Sequence, residues 1–232
     1  MLQVLRVSNL RYRYSDGQPA LQNISFSLHE RESVAVFGAN GSGKTTFLLH
    51  LNGLLRGQGE IEVCGKLLRD QTLGWVREKV GLIFQDSDDQ LFLPTVIEDV
   101  AFGLLQRGES SDEARTHAEA MLDRLGIRRL AERAPYHLSA GEKKRVALAG
   151  VLVLQPEVLV LDEPTTYLDP PGQRDLILLL NELPQAKIIA THDVGFAECV
   201  ASRAVFFEEG CVRDSGSVEE ISCRYRWRVV GK

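Results

Sequence analysis

The segment GANGSGKT, Gly38 to Thr45, constrains the fold of this chain more than any other stretch of the sequence. It fits the pattern G-x-x-x-x-G-K-[ST]; a short apolar run precedes it, and apolar residues at helical spacing follow it. Glycines in such a loop let successive backbone N–H groups point at phosphate oxygens, at the positive end of the next helix. The segment therefore predicts a strand, a phosphate-binding loop and a helix, whereas a plain Gly-rich turn would not need the strand and the helix around it.

Further apolar segments extend this unit into an α/β core. The buried strands SVAVFG, VGLIFQ, EVLVLDEP and AKIIATHD occur together with helical segments, which indicates a mainly parallel sheet. Helical segments interrupt the alternation in the middle of the chain, so we expect one domain, 1–232, with a catalytic core of 1–85 and 155–232 and an inserted helical lobe of 86–154. The segment SRAVFFEEGCVRDSG predicts a hairpin that turns at Glu209-Gly210.

Composition and charge narrow the class of protein. With 232 residues, 44% of them hydrophobic and 25% charged, the chain has ordinary globular composition and enough length for a core. Its net charge of -5 lacks the basic footprint of a dedicated nucleic-acid-binding protein, so we expect no nucleic-acid partner. The four cysteines form no CxxC pair, which favours reduced cytosolic thiols over a zinc site or disulfides. No apolar run approaches the roughly 18 residues of a membrane-spanning helix, so attachment to a membrane would need another protein.

The strand VLVLDEP ends in two adjacent carboxylates that suit nucleotide chemistry beside the phosphate loop. Asp162 can face the loop and orient water on Mg²⁺, to which the Thr45 hydroxyl can also bind. Lys44 can reach the β- and γ-phosphates, and Glu163 points toward the γ-phosphate, where a general base could polarise the attacking water. An acidic pair that merely caps a strand is the alternative, and the nearby phosphate loop disfavours it.

The segment LSAGEKKRVALAG predicts a helix that begins at Ser139 as its N-cap, with Gly141 in the first turn. A helix N-terminus with a free hydroxyl is a second anion site, and one nucleotide cannot occupy both sites if they are far apart. A well-capped basic surface helix is the simpler interpretation of this segment taken alone.

Taken together, these motifs resemble the ATP-binding-cassette family over nearly the whole chain. The matching positions, in the family's order, are Gly38–Thr46, Gln85, Leu138–Glu142, Asp162–Glu163, Asp169 and His192. The resemblance implies an α/β P-loop NTPase core with a mainly parallel sheet, an N-terminal antiparallel β subdomain and an inserted α-helical subdomain. It also implies an ATP hydrolase that uses ATP and Mg²⁺ and works as a dimer. Two ATP molecules would be sandwiched between each subunit's phosphate loop and the other's signature helix, which would explain the two separate anion sites.

The roles of individual residues follow from the same resemblance. Glu163, His192 and Gln85 are expected to be catalytic, as the base, the contact to the γ-phosphate, and the contact to Mg²⁺ and the attacking water. Tyr14 resembles the aromatic residue that stacks on adenine, although a plain edge-strand aromatic is the alternative. The expected nucleotide-binding residues are Tyr14, Gly38, Ala39, Asn40, Gly41, Ser42, Gly43, Lys44, Thr45, Thr46, Ser139, Gly141, Asp162 and Asp169, the last of which would cross the dimer interface. The expected Mg²⁺ contacts are Thr45, Gln85 and, through water, Asp162.

Two positions of the signature depart from the family's pattern, which has two glycines and a glutamine where this chain has SAGE. Ala140 keeps its backbone N–H, so binding should survive unless that position needs positive φ. Glu142 adds negative charge near an anion site and is expected to weaken the closed dimer. Because Lys44, Glu163 and His192 are all present, we expect altered rather than absent activity.

The segment VGLIFQDSDDQLFLPTVIEDVAFG, together with the signature segment, is similar to the ATPase subunits of energy-coupling-factor importers, particularly the cobalt and nickel branch. That resemblance implies three partners: a second ATPase subunit (homo- or heterodimer), a transmembrane coupling protein and a substrate-binding membrane subunit. It also implies a peripheral position on the cytoplasmic face of the cell membrane. Residues 88–92 would face the coupling protein, and Asp86, Asp88 and Asp89 would suit its arginines. A solvated acidic loop is the alternative.

The cargo stays open, because this subunit would not touch it. Cobalt or nickel ion is favoured by the resemblance alone, with biotin or another vitamin as the alternative. Wider alternatives are an exporter ATPase and a soluble cassette ATPase that acts on nucleic acid or ribosomes. The chain ends soon after its core, so we expect a weak dimer in the absence of nucleotide. Its basic, aromatic end, SCRYRWRVVGK, is expected to fray, with contact to lipid headgroups as the alternative.

Overall fold

The computed structural model of the chain describes residues 2–227, and its N-terminal part is an antiparallel sheet. The strands of this sheet are β1 (Gln3–Arg13), β2 (Pro19–His29), β4 (Gln58–Val63) and β5 (Lys66–Leu67). Their order is β2-β1-β4-β5. Val7 of β1 faces Phe26 of β2 and Ile61 of β4, and all three side chains are buried. Alternating burial along β1 thus turns one face of the sheet toward the core.

The second sheet, as described within residues 2–227, has six strands. They are β3 (Ser33–Phe37), β6 (Val80–Ile83), β7 (Val158–Asp162), β8 (Ala186–Ala190), β9 (Arg203–Glu208) and β10 (Cys211–Gly216). Their order is β10-β9-β3-β8-β7-β6, and every neighbouring pair is parallel except β9–β10. Strands β7 and β8 are buried throughout, which explains their apolar runs without alternation. The predicted hairpin joins β9 and β10, and Glu209 and Gly210 at its turn have φ of 49° and 73°.

Eight α-helices lie within the described part of the chain. They are α1 (Lys44–Leu51), α2 (Leu73–Lys79), α3 (Val96–Gln106), α4 (Ser111–Arg124), α5 (Ala140–Leu152), α6 (Pro170–Glu182), α7 (Val194–Val200) and α8 (Val218–Arg224). Helices α3, α4 and α5 each begin at a capping box, in which a Ser or Thr and a Glu three residues later exchange hydrogen bonds. Of the helices between residues 2 and 227, none has the length and apolar character to cross a membrane.

Helices α3–α5 come between β6 and β7 and pack on one face of the six-stranded sheet. Val100, Leu122 and Leu148, one from each helix, share a buried cluster with Leu159 and Leu161 of β7. The opposite face of the sheet packs on α1 and on the antiparallel sheet. The predicted α/β fold, with its antiparallel subdomain and inserted helices, is therefore confirmed. The division into a core of 1–85 and 155–232 and a lobe of 86–154 stays a prediction.

The C-terminal segment is packed as far as Trp227, which corrects the expectation that it frays. Ile221 of α8 lies in a third buried cluster with Phe206 of β9. Tyr225 stacks on Phe206 with ring centroids 3.7 Å apart, and Trp227 meets the same ring edge-to-face at 5.4 Å. Aromatic contacts therefore hold this segment against β9, although its arginines favour an end exposed to solvent. Residues 228–232, the rest of SCRYRWRVVGK, lie outside the described residues.

Candidate active site and family

A cavity of about 580 Å³ lies at the carboxyl ends of β3, β7 and β8. Because neighbouring parallel strands end at the same edge of a sheet, the loops that follow them meet there. The predicted site residues that line this cavity are Tyr14, Asn40, Gly41, Gly43, Lys44, Thr45, Thr46, Gln85, Asp162, Glu163 and His192. Sequence reasoning misses four lining residues, Gln18, Pro19, Ala20 and Thr166. The first three come directly after the turn that follows Tyr14. Their closeness to Tyr14 in the sequence is the signal from which they could have been predicted.

The phosphate loop needs glycine at Gly38 and Gly43 because other backbone approaches it closely. Gly38 has a φ of 147°, and a Cβ there would lie 2.3 Å from the carbonyl oxygen of Phe207. Gly43 is the N-cap of α1 with a φ of 103°, and a Cβ there would lie 2.6 Å from the carbonyl oxygen of Ala20. The N-terminus of α1 consequently opens on the cavity, where its N–H groups and the positive end of its dipole favour an anion.

The ammonium group of Lys44 is held by the loop itself. Its Nζ donates to the carbonyl oxygens of Gly38, at 2.6 Å, and Ala39, at 3.2 Å. Burial lowers the pKa of Lys44, while the nearby carboxylates of Glu163 and Asp162 act in the opposite direction. A buried ammonium group beside the loop can bind phosphate oxygens. These are charged acceptors, whereas the two carbonyl oxygens are neutral.

Thr45 and Asp162 form an oxygen-rich corner of the cavity. The Thr45 hydroxyl donates to Asp162 Oδ2 over 2.7 Å. Asp162 Oδ1 is buried and has no hydrogen-bond partner among residues 2–227. Burial raises the pKa of this carboxyl, against the opposing effects of Thr45 and Lys44. A buried carboxylate oxygen without a partner, next to a hydroxyl, fits Mg²⁺ or a water molecule bound to it.

Glu163 has the properties of a general base. Its φ of 41° is unusual for a residue other than glycine, and its N–H donates to Ala190 O of β8 over 2.9 Å, which holds the turn in place. Burial raises the pKa of Glu163 to about 7, against the lowering effects of the His192 N–H and Lys44. A carboxylate with a pKa near neutral pH is partly ionised under working conditions and still accepts a proton readily.

His192 lies against Glu163 at the end of β8. Its backbone N–H donates to Glu163 Oε2 over 3.3 Å, and its ring Nε2 lies 3.0 Å from Oε1 without the alignment of a hydrogen bond. Burial, and then the charge of Lys44, lower the pKa of His192. The contact follows from the register of β7 and β8, which pairs Asp162 with Ala190 and confirms that the two predicted strands run side by side.

Tyr14 is fixed at the edge of the cavity. Its hydroxyl shares a 2.8 Å hydrogen bond with Thr46 Oγ1, and its ring meets Tyr12 edge-to-face with 5.1 Å between ring centroids. Tyr14 follows β1 and is not part of that strand. An aromatic face at the edge of a cavity fits a nucleobase, so Tyr14 stays the candidate for adenine stacking.

Two lysines of α5, missed by sequence reasoning, tie this helix to the segment after β6. The Lys144 side chain is buried, and its Nζ donates to the carbonyl oxygens of Phe84, at 3.2 Å, and Gln85, at 2.9 Å. The neighbouring Lys143 Nζ lies 2.6 Å from Asp88 Oδ1. Because Gln85 lines the cavity, α5 is bonded directly to backbone that borders it.

The carboxylates of the three acidic residues after Gln85 differ in the contacts that they make within the chain. Asp86 Oδ1 accepts the Asp88 N–H over 2.9 Å, and Asp88 is paired with Lys143. Asp89 is the carboxylate of the three that has no such partner within residues 2–227. That all three carboxylates suit arginines of a partner stays a prediction, and Asp86 and Asp88 would meet such a partner with contacts already made within the chain.

Gln90 contacts the sheet, which corrects the expectation that all of residues 88–92 face a partner. Its Nε2 donates to Leu82 O over 2.9 Å, and its Oε1 accepts the Phe84 N–H over 3.2 Å. Strand β6 is an edge strand, so these backbone groups would otherwise lack a partner strand. The Gln90 amide thus completes the hydrogen bonding of that edge.

Ser139 caps α5, and its hydroxyl is not free as expected. It donates to Glu142 Oε2 over 3.1 Å and accepts the Glu142 N–H at 3.3 Å, which forms a capping box. Glu142 also lies 3.0 Å from Arg129, so its charge is partly neutralised. Ala140 starts the helix without a positive φ, and alanine therefore causes no backbone strain at this signature position.

Several predicted nucleotide-binding residues do not line the cavity, namely Gly38, Ala39, Ser42, Ser139, Gly141 and Asp169. The first three belong to the phosphate loop itself. Gly141 lies near Leu168, whose Cδ2 would be 3.7 Å from a Cβ on that glycine. Asp169 Oδ1 accepts the Gly172 N–H over 2.9 Å and caps α6. Ser139, Gly141 and Asp169 thus lie outside the lining of this chain's own cavity, and their roles in nucleotide binding stay predictions.

Comparison with known proteins agrees with this geometry. A sequence profile described as ABC transporter matches residues 21–166, more than half of the chain. The chain belongs to the ABC transporter family. As an ABC ATPase it is an ATP hydrolase, and the predicted resemblance to the ATP-binding-cassette family is confirmed.

Relatives of this ABC ATPase cover almost its whole length. A putative ABC transporter ATP-binding protein of Gloeobacter violaceus is 51% identical, with 95% of this chain and 92% of that protein covered. The energy-coupling factor transporter ATP-binding protein EcfA of Methanosphaera stadtmanae is 43% identical, with 95% of this chain and 82% of that protein covered.

Solved structures of ABC proteins share the fold. The structure of cbiO1 from Clostridium perfringens, part of the ABC transporter complex cbiONQ, matches with a TM-score of 0.84 and 38% identity, covering 97% of this chain and 92% of that one. A dimeric post-hydrolysis structure of the ATP-binding cassette MJ0796, bound to ADP and Pi, matches with a TM-score of 0.82 and 27% identity, covering 92% of this chain and 98% of that one. These likenesses support an ATP-binding subunit of the energy-coupling-factor type.

Proposed function

We propose that this ABC ATPase is the ATP-binding and hydrolysing subunit of a membrane importer of the energy-coupling-factor type. It pairs with a second ATPase subunit and lies on the cytoplasmic face of the cell membrane as a peripheral protein. There it binds a transmembrane coupling protein, which is joined by a substrate-binding membrane subunit. The relatives named EcfA and cbiO1 support the proposal. The observation that carries it is an exposed apolar patch that begins a few residues after Gln85, which lines the cavity.

Phe92, Phe102 and Leu105 form this docking patch on the surface of the helical segment. Phe92 is 65% exposed and Phe102 37%, and their rings meet edge-to-face with centroids 5.3 Å apart. Leu105, one turn further along α3, is also exposed. The Phe92 N–H donates to Asp99 Oδ1 over 3.1 Å, which holds the loop against α3. Exposed aromatic residues that the backbone holds in place are typical of a protein-binding surface.

A helix of the transmembrane coupling protein is the occupant that suits the docking patch. The segment from Gln85 to Phe92 connects the patch to the nucleotide cavity within a few residues, as a coupling device requires. Asp89, three residues before Phe92, offers an unpaired carboxylate to an arginine on the same helix.

The groups on the cavity wall suit ATP. The N–H groups of the phosphate loop and the ammonium of Lys44 bind phosphate oxygens, and Tyr14 stacks on adenine. Thr45, Gln85 and, through water, Asp162 would hold Mg²⁺, which would supply positive charge next to the phosphate oxygens. Glu163 takes a proton from the attacking water, for which its pKa of about 7 is suited.

A second subunit completes each nucleotide site. By resemblance to the family, Ser139 and Gly141 serve the ATP of the opposite subunit and Asp169 crosses the interface. Their position outside their own chain's cavity supports this assignment. His192 contacts the γ-phosphate from the chain's own side. Closing of the dimer on ATP moves α5, and the bonds from Lys143 and Lys144 to the segment after β6 carry that movement toward the docking patch.

Cobalt or nickel ion is the proposed cargo, and its support is the resemblance of the segment after β6 to the cobalt and nickel branch of these importers. The alternative is a vitamin such as biotin within the same importer type. Uptake of labelled cobalt, nickel and biotin by cells that express the complete complex distinguishes them. Uptake of biotin but of neither metal would overturn the metal proposal and leave the importer proposal intact.

Copurification tests the proposed function. The chain is tagged and expressed with its genomic neighbours, and membranes are extracted with detergent. We expect a polytopic membrane protein to copurify with the wild-type chain, and much less of it with the Phe92→Ser, Phe102→Ser double variant. Leu178→Ser is the matched control, because Leu178 is an exposed apolar residue on α6.

Two outcomes of this experiment would contradict the proposal. One is a chain that stays free of membrane protein and whose ATPase activity is stimulated by DNA or ribosomes, which favours a soluble cassette ATPase. The other is copurification that the double variant and the control reduce equally, which would remove the docking patch from the interface. Copurification with an export complex would favour the exporter alternative.

A further inference from the structure

The indole of Trp227 lies over the imidazole of His192. The two ring centroids are 6.0 Å apart and the ring planes are inclined by 29°. The edge of the same indole faces the ring of Phe206, with 5.4 Å between centroids and an interplanar angle of 82°. Trp227 therefore connects the apolar cluster under α8 with the nucleotide cavity, which His192 lines.

The backbone fixes the place of this indole. Helix α8 ends at Arg224, and Arg226 takes a φ of 50°. The Trp227 N–H then donates back to Ser222 O over 2.8 Å, and the Arg226 N–H to Cys223 O over 3.2 Å. This arrangement resembles a Schellman motif, which sets the direction in which a chain leaves a helix. The helix itself is anchored by Ile221, which is fully buried.

The contacts that His192 makes with Glu163 do not fix the orientation of its ring. Its exposed fraction is 44%, and the contact of Nε2 with Glu163 Oε1 lacks the alignment of a hydrogen bond. The χ2 torsion of histidine has broad minima, so one poorly aligned contact does not define the orientation of the ring. An aromatic face above the imidazole restricts its rotation and excludes water from that side.

We infer that Trp227 is a positioning residue that orients His192 for ATP hydrolysis. This inference rests on the proposed role of His192 in hydrolysis and does not depend on the identity of the membrane partner or the cargo. Trp227 touches the reaction only through the imidazole. Its loss therefore affects the chemical step while leaving the phosphate loop, and with it the affinity for ATP, unchanged. Within the C-terminal segment, Trp227 is therefore the residue that supports the catalytic site.

Steady-state kinetics of the full chain test this inference. Trp227→Ala is expected to lower kcat by roughly tenfold, because small displacements of a positioned group are costly, and to leave KM for ATP unchanged. Trp227→Phe keeps an aromatic face and is expected to restore most of the activity. Tyr225→Leu is the matched control, because Tyr225 stacks on the same Phe206 ring in the same segment. An equal loss of kcat in Tyr225→Leu and Trp227→Ala would show a merely structural role and overturn the inference, as would unchanged kcat in Trp227→Ala.

Fluorescence gives a second readout that stability alone does not affect. The chain has two tryptophans, so Trp75→Phe leaves Trp227 as the single emitter. We expect a non-hydrolysable ATP analogue with Mg²⁺ to change the Trp227 emission, and His192→Ala to remove that change. If the ATP analogue changes the Trp227 emission equally in His192→Ala and in the parent protein, the two rings are not in contact and the inference fails. If His192→Ala leaves hydrolysis at the wild-type rate, the proposed role of His192 fails, and the fluorescence experiment still decides whether the two rings are in contact.

Discussion

Both carboxylate oxygens of Glu163 face His192, which lies two residues after the end of β8, the strand beside β7. Oε2 accepts the His192 N–H over 3.3 Å, and Oε1 lies 3.0 Å from the ring Nε2. The backbone contact stabilises the ionised carboxylate, yet burial has the larger effect and raises the pKa of Glu163 to about 7. Glu163, the proposed base, and His192 are therefore one structural unit, set by the parallel pairing of β7 and β8.

The rate of ATP hydrolysis should depend on the ionisation of Glu163. A general base acts in its deprotonated form, so kcat should fall as the pH drops below the pKa of about 7. A pH–rate profile at saturating ATP, with Mg²⁺ in excess, measures this dependence. A midpoint near the ordinary value of 4.5 for glutamate would contradict the role of burial at this site.

The raised pKa of Glu163 also makes the free energy of unfolding depend on pH. The folded state holds the proton up to about pH 7 and the unfolded state only up to about 4.5, so folding is favoured below 4.5 and this contribution is lost as the pH rises through 7. Relative to wild type, Glu163→Gln should therefore become more stable between pH 5 and pH 8, by up to about 3 kcal/mol. Urea denaturation of both proteins at the two pH values checks this, and an unchanged difference between them would contradict it.

Glu142→Gln should strengthen the ATP-bound dimer. Glutamine keeps the capping box with Ser139, so α5 should start as before, while a negative charge close to the signature anion site is removed. We expect the apparent KM for ATP to fall several-fold. Size-exclusion chromatography with Mg-ATP should show more dimer. Arg129 already neutralises part of this charge. Arg129→Ala should therefore raise the apparent KM for ATP and reduce the amount of dimer. No change in either variant would mean that the charge of Glu142 is irrelevant.

Charge reversal at Asp88 and at Asp89 should have different effects on the contacts within the chain. Asp89→Lys should weaken copurification with the membrane protein and leave ATP binding and Tm nearly unchanged, because Asp89 has no partner to lose within residues 2–227. Asp88→Lys also breaks the pair with Lys143, whereas Asp88→Lys with Lys143→Asp restores it. An exposed pair contributes less than about 1 kcal/mol, so Tm should change little in all of these variants. Full copurification of Asp89→Lys would rule out a role of this carboxylate in docking.

Much of the site could be predicted because its residues follow local patterns. The phosphate loop and Glu163 directly follow apolar strands, Asp162 ends one, and His192 lies two residues after another. Parallel strands bring such positions to one edge. The contacts of Lys144 could not be predicted, since a lysine in a helix gives no sign that it will be buried on a carbonyl oxygen 59 residues away. The same holds for Trp227, whose neighbour His192 lies far away in the sequence. Partners of this kind are set by packing, for which a single sequence has no signal.

The fold itself was predictable for similar reasons, with exceptions among the short elements. Strands with continuous apolar runs and helices with capping boxes carry strong signals in the sequence. Helices α2, α7 and α8, of seven residues each, are missed because so short a segment shows little periodicity. The start of α8 nevertheless has a capping box, Ser217 with Glu220, which would have been sufficient to find it.

The most direct test of this account is the behaviour of the Glu163→Gln variant. Glutamine keeps the shape of the side chain and cannot accept the proton from water, so hydrolysis should fall by about a hundredfold or more. Binding of Mg-ATP should be retained, and the ATP-bound protein should accumulate as a dimer in size-exclusion chromatography while wild type does not. Hydrolysis by Glu163→Gln at the wild-type rate would show that Glu163 is not the base and would contradict the mechanism.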